Sequence, residues 1–142
     1  MPRKAEEISR RAEETPRKGE RPRPDRHAAY RFGLRAETLA AWWLRLKGYS
    51  ILARRFQAAG AEIDLIAERF GTVVFVEVKA RASLDAALLT LTDEKLNRIG
   101  RAARAYLGRR NHLPRSLRLD AILVAPHRFP RHIQAIGEIS LN

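Results

Sequence analysis

The stretch that decides the fold is AEIDLIAERFGTVVFVEVKAR, which runs from Ala61 to Arg81. Two apolar segments alternate in the manner of β-strands on either side of Phe70 and Gly71, which predicts a β-hairpin. The second segment, TVVFVEVK, has the composition of a buried strand, yet it carries Glu77 and Lys79. Because an unpaired charge in a buried strand costs several kcal/mol, these two side chains require an explanation.

The register of this hairpin places another acid opposite Glu77. If the turn is centred on Phe70–Gly71, the numbers of paired residues sum to 141 and Asp64 faces Glu77 on the neighbouring strand. Two neighbouring carboxylates repel unless a positive charge lies between them, and Mg²⁺ is commonly held by one or two carboxylates. Lys79 lies on the same face as Glu77, where it could stabilise charge on a phosphate or orient a water. The pattern therefore predicts a metal and phosphate site.

The specificity of this pattern comes from its context. An acid-x-Lys triplet alone is weak, since Asp93-x-Lys95 repeats it at a polar helix start. The triplet at Glu77 differs because it lies in an apolar strand and has an acid opposite. The alternative interpretation is a structural ion pair between Glu77 and Lys79 at the solvent end of the strand, with Asp64 on a polar edge.

The remaining segments predict an α/β fold with a central mixed β-sheet flanked by helices. LRAETLAAWWLRLKG has helical spacing and ends at Gly48, and TDEKLNRIGRAARAYLGRR predicts a second helix with Thr92 or Asp93 as its N-cap. YSILARRF, LRLDAILVAP and RHIQAIGEI predict further strands, so the order is α-β-β-β-α-β-β. The apolar stripe of the first helix is predicted to comprise Ala36, Leu39, Ala40, Trp43 and Leu46.

Length and composition bound the class of protein. The 142 residues suffice for one domain, with residues 1–29 a disordered charged tail and residues 30–142 the folded part. The chain has no run of 18 apolar residues and a charged N-terminus, which predicts neither a membrane span nor a secretory signal. The absence of cysteine fits a cytoplasmic protein.

The charge balance favours a polyanionic partner. The net charge is +12, and residues 1–31 hold 10 basic and 6 acidic groups, which leaves 18 and 10, or +8, for the remainder. A basic domain of this kind predicts nucleic acid as the partner, whereas the alternative is a charge that serves solubility.

Basic side chains of the second helix are the predicted contacts to phosphates. Arg98, Arg101 and Arg104 follow one another at intervals of three on the side opposite the apolar residues, and Arg81 follows the strand with Glu77. Lys95 lies at the boundary of the two faces, where it could approach the site or cover the core. An ordinary solvated helix face is the alternative.

Four segments together resemble a known family: FGLRAETLAAWWLRLKGYSIL, AEIDLIAERFGTVVFVEVKAR, DEKLNRIGRAARAYL and LRLDAILV. They resemble the YraN-like family, small bacterial proteins of uncharacterised function, from Phe32 to about Val124. That family looks like the restriction-endonuclease-like (PD-(D/E)xK nuclease) superfamily and resembles archaeal Holliday-junction resolvases. The resemblance implies the following roles: Asp64 and Glu77 as metal ligands, Lys79 as the catalytic lysine, and Glu37 as a further acid from the first helix.

Two acids beyond the strand pair have open roles. Glu37 borders the apolar stripe of its helix, so it can lean over the sheet toward the metal or remain a surface residue. Glu62 shares a face with Asp64 and is a weaker ligand candidate, since it also fits a charge at a strand edge. The family usually has Gly directly before its Glu-Ile-Asp segment, where this chain has Ala61 after Gly60. The Pro that the superfamily has before its aspartate is Ile63 here.

These inferences lead to a restriction-endonuclease-like fold and a divalent-metal-dependent endonuclease that hydrolyses phosphodiester bonds in DNA, with branched DNA among its expected substrates. Asp64 and Glu77 would hold Mg²⁺ or Mn²⁺. The alternatives are a non-catalytic nucleic-acid-binding protein that keeps the fold, and an interaction module whose basic face meets an acidic protein. The choice of DNA over RNA, and a homodimer as the assembly, follow from the resemblance.

Overall fold

The computed structural model describes residues 26–80 and 83–139. The predicted tail lies mostly outside these ranges, and residues 26–29, which were assigned to it, belong to the first helix. None of the described helices is long and apolar enough to cross a membrane. The elements in chain order are α1 (Arg26–Leu46), β1 (Ser50–Ala58), β2 (Ala61–Arg69), β3 (Thr72–Lys79), α2 (Leu84–Leu88), α3 (Asp93–Leu107), β4 (Ser116–Leu123) and β5 (Arg131–Gly137).

The five strands form one sheet in the order β1-β2-β3-β4-β5. All neighbours are antiparallel except β3 and β4, which run parallel and are joined through α2 and α3. One core lies between the sheet and α1, and a second lies between the opposite face and α3. This is the predicted α/β fold with a central mixed sheet flanked by helices, and it is consistent with a restriction-endonuclease-like fold. Only α2 was not predicted, because five residues are too few to show a helical period.

The β2–β3 hairpin has the predicted turn and register. Phe70 and Gly71 both have positive φ, 52° and 81°, as a tight type I′ turn requires. Leu65 pairs with Val76 and the ladder continues to the turn with the same sum of 141. Since a slip of one residue would move every side chain to the other face, the turn determines which side chains can reach the site.

Helix α1 is rotated relative to the predicted apolar stripe. Leu39 and Leu46, expected in the core, are 49% and 78% exposed, so this part of the prediction is wrong. The helix lies on the sheet through small residues, which allow its backbone to approach closely. The rotation also brings Glu37 to the sheet side of the helix, since three of the buried residues follow it at distances of three, four and seven positions. The buried residues of α1 are Ala36, Ala40, Ala41 and Leu44.

Helix α3 covers the other face of the sheet as predicted. Thr92 is its N-cap, and the hydroxyl accepts a hydrogen bond from the backbone N–H of Lys95 at 3.2 Å. Ile99 is buried against the sheet, whereas Arg98 and Arg101 lie on the solvent side. The cap therefore determines where the helix begins and places Lys95 in its first turn, near the end of β3.

A buried polar network joins β4, β5 and the end of α1. The Asp120 carboxylate is fully buried and accepts two hydrogen bonds from Arg118, at 2.7 and 2.8 Å, and one from the Ala135 N–H at 3.0 Å. His132 Nε2 lies 2.7 Å from the same carboxylate, and its Nδ1 faces the Lys47 ammonium. Since an ammonium only donates, Nδ1 accepts and Nε2–H donates to Asp120. These bonds attach the edge strand β5 to the sheet.

Candidate active site

The site begins where β2 and β3 cease to pair. The last paired residues are Leu65 and Val76, so the ladder ends one step before the predicted pair of Asp64 and Glu77. The Asp64 carboxylate accepts a hydrogen bond from the Val78 N–H at 2.8 Å. The carboxylate therefore lies between the ends of the two strands and satisfies a backbone donor that the ladder leaves free.

The β1–β2 ladder is interrupted beside Asp64. Phe56 pairs with Ile63 and Arg54 pairs with Leu65, but the pair between them, Arg55 and Asp64, is missing from the ladder. Arg55 has φ 50°, in the left-handed region, which a non-glycine residue adopts rarely. The register is unchanged across this gap, and the shift in the β1–β2 ladder lies further on, between Ile51 and Ala53. Around the gap Ile63 packs on the α3 side of the sheet and Leu65 on the α1 side, so the side chains of β2 do not alternate regularly here.

Three carboxylates meet on this part of the molecule. One oxygen each of Glu37, Glu62 and Asp64 lie within 4.8 Å of one another, and we refer to these three residues as the acid cluster. Glu37 comes from α1 and pairs with Arg55 Nε at 2.7 Å, and Glu62 accepts a hydrogen bond from Gln57 at 3.1 Å. The sequence left open whether Glu37 reaches the sheet, and in the structure it does. Glu62, the weaker ligand candidate, lies beside Asp64.

The carboxylates of the acid cluster repel one another, and nearby positive charge does not fully offset this repulsion. Burial, together with repulsion from Glu77 and Glu37, raises the pKa of Asp64 to about 7. The Val78 N–H and Lys79 oppose this change without cancelling it. Three oxygen ligands with excess negative charge are the ligand type that Mg²⁺ and Mn²⁺ prefer, so the residues present fit the predicted metal.

The partners of Glu77 differ from the prediction, which placed its carboxylate beside that of Asp64. It is buried, and its Oε2 atom lies 3.2 Å from Lys95 Nζ and 3.6 Å from Lys79 Nζ. Glu77 is therefore held by two ammonium groups and is not one of the three acids that cluster. Glu77 still raises the pKa of Asp64 by repulsion, but its ion-pair partners are the two lysines.

The two lysines affect one another. Burial and the adjacent Lys95 ammonium lower the pKa of Lys79, although Glu77 opposes this change. Burial alone would lower the pKa of Lys95, but attraction to Glu77 outweighs it, and the pKa is raised. Lys79 is thus the ammonium of the pair that loses its proton more easily.

The predicted phosphate contacts divide into two groups. Lys95 lies in the site itself, whereas Arg98 pairs with Glu94 one turn before it and is half exposed. Arg101 is exposed and Arg104 is partly buried on the same helix. Arg81 lies outside the described residues. The sequence placed Lys95 among the phosphate contacts and at the boundary of the two helix faces, where it could approach the site or cover the core. The structure has it beside Glu77, and its spacing of four from the buried Ile99 is the signal for the sheet side of α3.

A cavity of about 390 Å³ lies between α3 and the start of β2, and Glu62 is the member of the acid cluster that lines it. Glu62 and Lys95 line it from opposite sides, and Thr92 and Arg98 complete the helix wall. A ligand in this cavity would therefore touch a metal-binding candidate and two cationic side chains at the same time. The remaining lining residues are Gly60, Ala61, Thr90, Glu94 and Ile99.

Comparison with known proteins assigns the family. Residues 36–124 match the uncharacterised protein family UPF0102. The chain belongs to the UPF0102 family. This confirms the YraN-like resemblance, and the matched range contains the acid cluster, Glu77 and both lysines.

Individual relatives in the UPF0102 family are similar over most of this chain. A UPF0102 protein of Methylorubrum populi is 52% identical over 125 residues, which cover 84% of this chain and 99% of the relative. A UPF0102 protein of Methylorubrum extorquens is 54% identical over 80% of this chain and 90% of the relative. One from Rhodopseudomonas palustris is 49% identical over 84% of this chain and 94% of the relative.

Proposed function

We propose that this UPF0102 protein is a divalent-metal-dependent endonuclease that hydrolyses phosphodiester bonds in DNA. The observation that carries the proposal is the meeting of three carboxylates, Glu37, Glu62 and Asp64, next to a buried carboxylate–lysine pair, Glu77 and Lys79. Oxygen ligands, a compact ammonium and a basic surface are the parts that metal-assisted phosphodiester hydrolysis needs.

The acid cluster would hold Mg²⁺ or Mn²⁺, with Glu77 as a further ligand. When bound, the metal would polarise a phosphate oxygen and lower the pKa of a water. Lys79 would stabilise the charge that develops on the phosphate as the water oxygen forms its bond to phosphorus and the opposite ester oxygen leaves. The Val78 N–H would keep Asp64 in place, since its hydrogen bond favours the ionised carboxylate.

The substrate would approach along α3. Lys95 and Arg98 line the cavity beside the acid cluster, and Arg101 lies one turn further on the solvent side. Phosphates on both sides of the reacting one would meet these cations, which position the strand without reading its sequence. A chain without cysteine fits the cytoplasm, where we place this activity.

The predicted homodimer remains a prediction, and α1 offers a surface for it. Leu39, Trp42 and Leu46 are exposed at helical spacing on the solvent side of α1. A contact through this stripe would bury apolar surface that the monomer leaves in water. Sedimentation of the full chain with and without Trp42→Glu would test this contact, and equal masses would contradict it.

One observation favours a second function, a nucleic-acid-binding protein that does not cut. Glu77 faces two lysines instead of the acid cluster, and a site with the right residues can be arranged too loosely to catalyse. Such a protein would bind DNA in a salt-dependent manner, without need of metal, and would keep this binding after Asp64→Asn.

The test is cleavage of labelled linear, flapped and four-way-junction DNA by the full chain in Mg²⁺, Mn²⁺ or EDTA. Asp64→Asn and Lys79→Ala should each lower the rate by about 100-fold or more, since both groups act on the reacting atoms. Glu138→Gln, which removes an exposed carboxylate after β5, is the matched control and should leave the rate unchanged. Cleavage that persists in EDTA, or in both site variants, would contradict the proposal.

A further inference from the structure

Glu77 has two cationic partners that come from different parts of the fold. Lys79 lies two residues further on the same strand, whereas Lys95 comes from α3, and both ammonium groups face the same oxygen, Oε2. The Glu77 side chain is 7% exposed and the Lys95 side chain is 32% exposed. The carboxylate is thus enclosed, while the ammonium of Lys95 still meets the cavity.

The two lysines differ in what they can control. Lys79 stays close to Glu77 because both lie on one face of β3. Lys95 approaches from the opposite wall, so its ion pair determines the direction in which the Glu77 carboxylate points. A buried carboxylate keeps a partner at all times, since leaving it unpaired costs several kcal/mol. Lys95 is the nearer of the two ammonium groups, so a turn of Glu77 toward the acid cluster gives up this ion pair and is favoured when a cation there compensates for it.

We propose that Lys95 holds Glu77 away from the acid cluster in the metal-free protein, and exchanges Glu77 for a substrate phosphate when a divalent cation binds. The exchange balances charge on both sides. Glu77 leaves an ammonium for the metal, and the ammonium receives a phosphodiester from the DNA strand in the cavity that Lys95 lines with Arg98. Lys95 is a positioning residue for Glu77, and the inference rests on the metal site of the proposed function.

This exchange couples metal binding to DNA binding. Each ligand removes an obstacle for the other, because the metal frees the Lys95 ammonium and the phosphate keeps that ammonium away from Glu77. Coupling between two sites is reciprocal, so DNA must raise metal affinity by the same factor by which metal raises DNA affinity. A purely structural Lys95–Glu77 pair that attaches α3 to the sheet predicts no such coupling.

The first experiment measures Mn²⁺ affinity by calorimetry in the full chain without DNA. Lys95→Met keeps the aliphatic stem and removes the charge, so Mn²⁺ should bind about fivefold or more tightly than in the wild type, a typical size for coupling between sites. Lys95→Arg keeps the charge and should bind Mn²⁺ like the wild type. Arg128→Met, at an exposed position between β4 and β5, is the matched control for loss of one positive charge and should leave the affinity unchanged.

The second experiment measures binding of a fluorescent four-way junction by anisotropy at constant ionic strength. Lys79→Ala in both proteins prevents cleavage during the measurement. Mn²⁺ should raise the DNA affinity of this variant about fivefold, and the added Lys95→Met change should abolish the increase. Lys95→Gln, which can still donate a hydrogen bond to Glu77, replaces Lys95→Met if circular dichroism shows that Lys95→Met does not fold.

The outcomes separate this inference from the proposed function. Equal Mn²⁺ affinity in folded Lys95→Met and wild-type proteins would overturn the exchange. So would a wild type that binds no Mn²⁺, and that result would remove the proposed metal site as well. Tighter Mn²⁺ binding in Lys95→Met, with no cleavage of any DNA by the wild type, would support the exchange while the endonuclease proposal fails.

Discussion

At the scale of single residues, Asp64 carries the highest electrostatic cost of the site. Its carboxylate is partly buried, lies near Glu77 and Glu37, and accepts a hydrogen bond from the Val78 N–H. The pKa is raised from the ordinary value near 3.8 to about 7, so near neutral pH the charged form is disfavoured until a cation arrives. An ionised Asp64 therefore destabilises the folded protein, which is the electrostatic arrangement common at functional sites.

The pH dependence of stability should reveal this cost. Below pH 3.8 Asp64 is protonated in both the folded and unfolded states, and between pH 3.8 and 7 only the unfolded state ionises. The free energy of unfolding should therefore fall across this range, with the full loss above pH 7. In EDTA at pH 8, Asp64→Asn should be more stable than the wild type by about 2–4 kcal/mol, and this difference should vanish near pH 3.5. Urea unfolding measures it, and a less stable Asp64→Asn at pH 8 would contradict the assignment.

Glu62 provides a test that separates the acid cluster from the pair of acids predicted by the hairpin alone. Its carboxylate lies with those of Glu37 and Asp64, so Glu62→Gln should weaken Mn²⁺ binding by about tenfold or more. Glu138→Gln removes an acid of the same type outside the cluster and should leave Mn²⁺ affinity as in the wild type. Equal titration curves for Glu62→Gln and the wild type would exclude Glu62 from the site.

At the scale of elements, the site depends on how α1 and α3 lie on the two faces of the sheet. α1 contributes Glu37 because its alanines pack closely on β2 and β3, and α3 contributes Lys95 because its N-cap at Thr92 sets where the helix begins. β3 runs between them and carries Glu77 and Lys79. Two helices on opposite faces of the sheet therefore add a carboxylate and an ammonium group to the side chains that the hairpin provides.

The rotation of α1 predicts contrasting effects for two leucines on the same helix. Leu44 is fully buried, so Leu44→Ala should cost about 2–5 kcal/mol of unfolding free energy. Leu46 is 78% exposed, and Leu46→Ala should change stability by less than about 0.5 kcal/mol. Thermal or urea unfolding of the two variants measures the difference, and the reverse order would support the stripe expected from the sequence.

The attachment of β5 predicts a large effect at Asp120. Removing this carboxylate by Asp120→Ala leaves Arg118 and His132 without their buried partner, which should cost about 3–5 kcal/mol. Burial opposes ionisation, but the bonds from His132 and Arg118 outweigh it and lower the pKa of Asp120. This contribution is therefore present above pH 3.8 and is lost as pH falls through the lower folded-state pKa. Urea unfolding of the wild type and variant at pH 7 checks it, and a loss below 1 kcal/mol would contradict the network.

At the scale of the whole molecule, charge is distributed unevenly over an otherwise ordinary α/β domain. The chain has a net charge of +12, yet four acids, Glu37, Glu62, Asp64 and Glu77, gather at one end of the β2–β3 hairpin. A polyanion would be attracted by the basic surface and would meet these acids only where a cation offsets them. The metal would thus be the condition for productive contact with DNA.

The salt dependence of DNA binding should locate the contact surface. The double variant Arg98→Gln, Arg101→Gln should reduce the slope of log K against log salt by about 2, close to one per lost phosphate contact. Arg128→Gln, Arg131→Gln changes the net charge equally but alters exposed side chains near β5, and should leave the slope nearly unchanged. Equal slopes for both double variants would indicate nonspecific attraction instead of a binding face on α3.

The sequence by itself determined the local features of this protein. Alternation of apolar residues defined β2 and β3, and the Phe70–Gly71 turn determined their register up to the pair of Leu65 and Val76. These features repeat within a few residues or depend on a turn between adjacent strands, so they are readable without the rest of the fold. Helical spacing predicted both long helices and the capping residues that end α1 and begin α3.

Only the tertiary structure decided which side chains meet. The rotation of α1 brought Glu37 to the sheet, the alternation of β2 broke around Asp64, and α3 delivered Lys95 to Glu77. Each of these depends on the angle and depth at which an element distant in sequence packs, and the pattern along one chain segment carries no record of that geometry. The identity of the acids was therefore predictable, whereas their division between the acid cluster and a pair of lysines was set by packing.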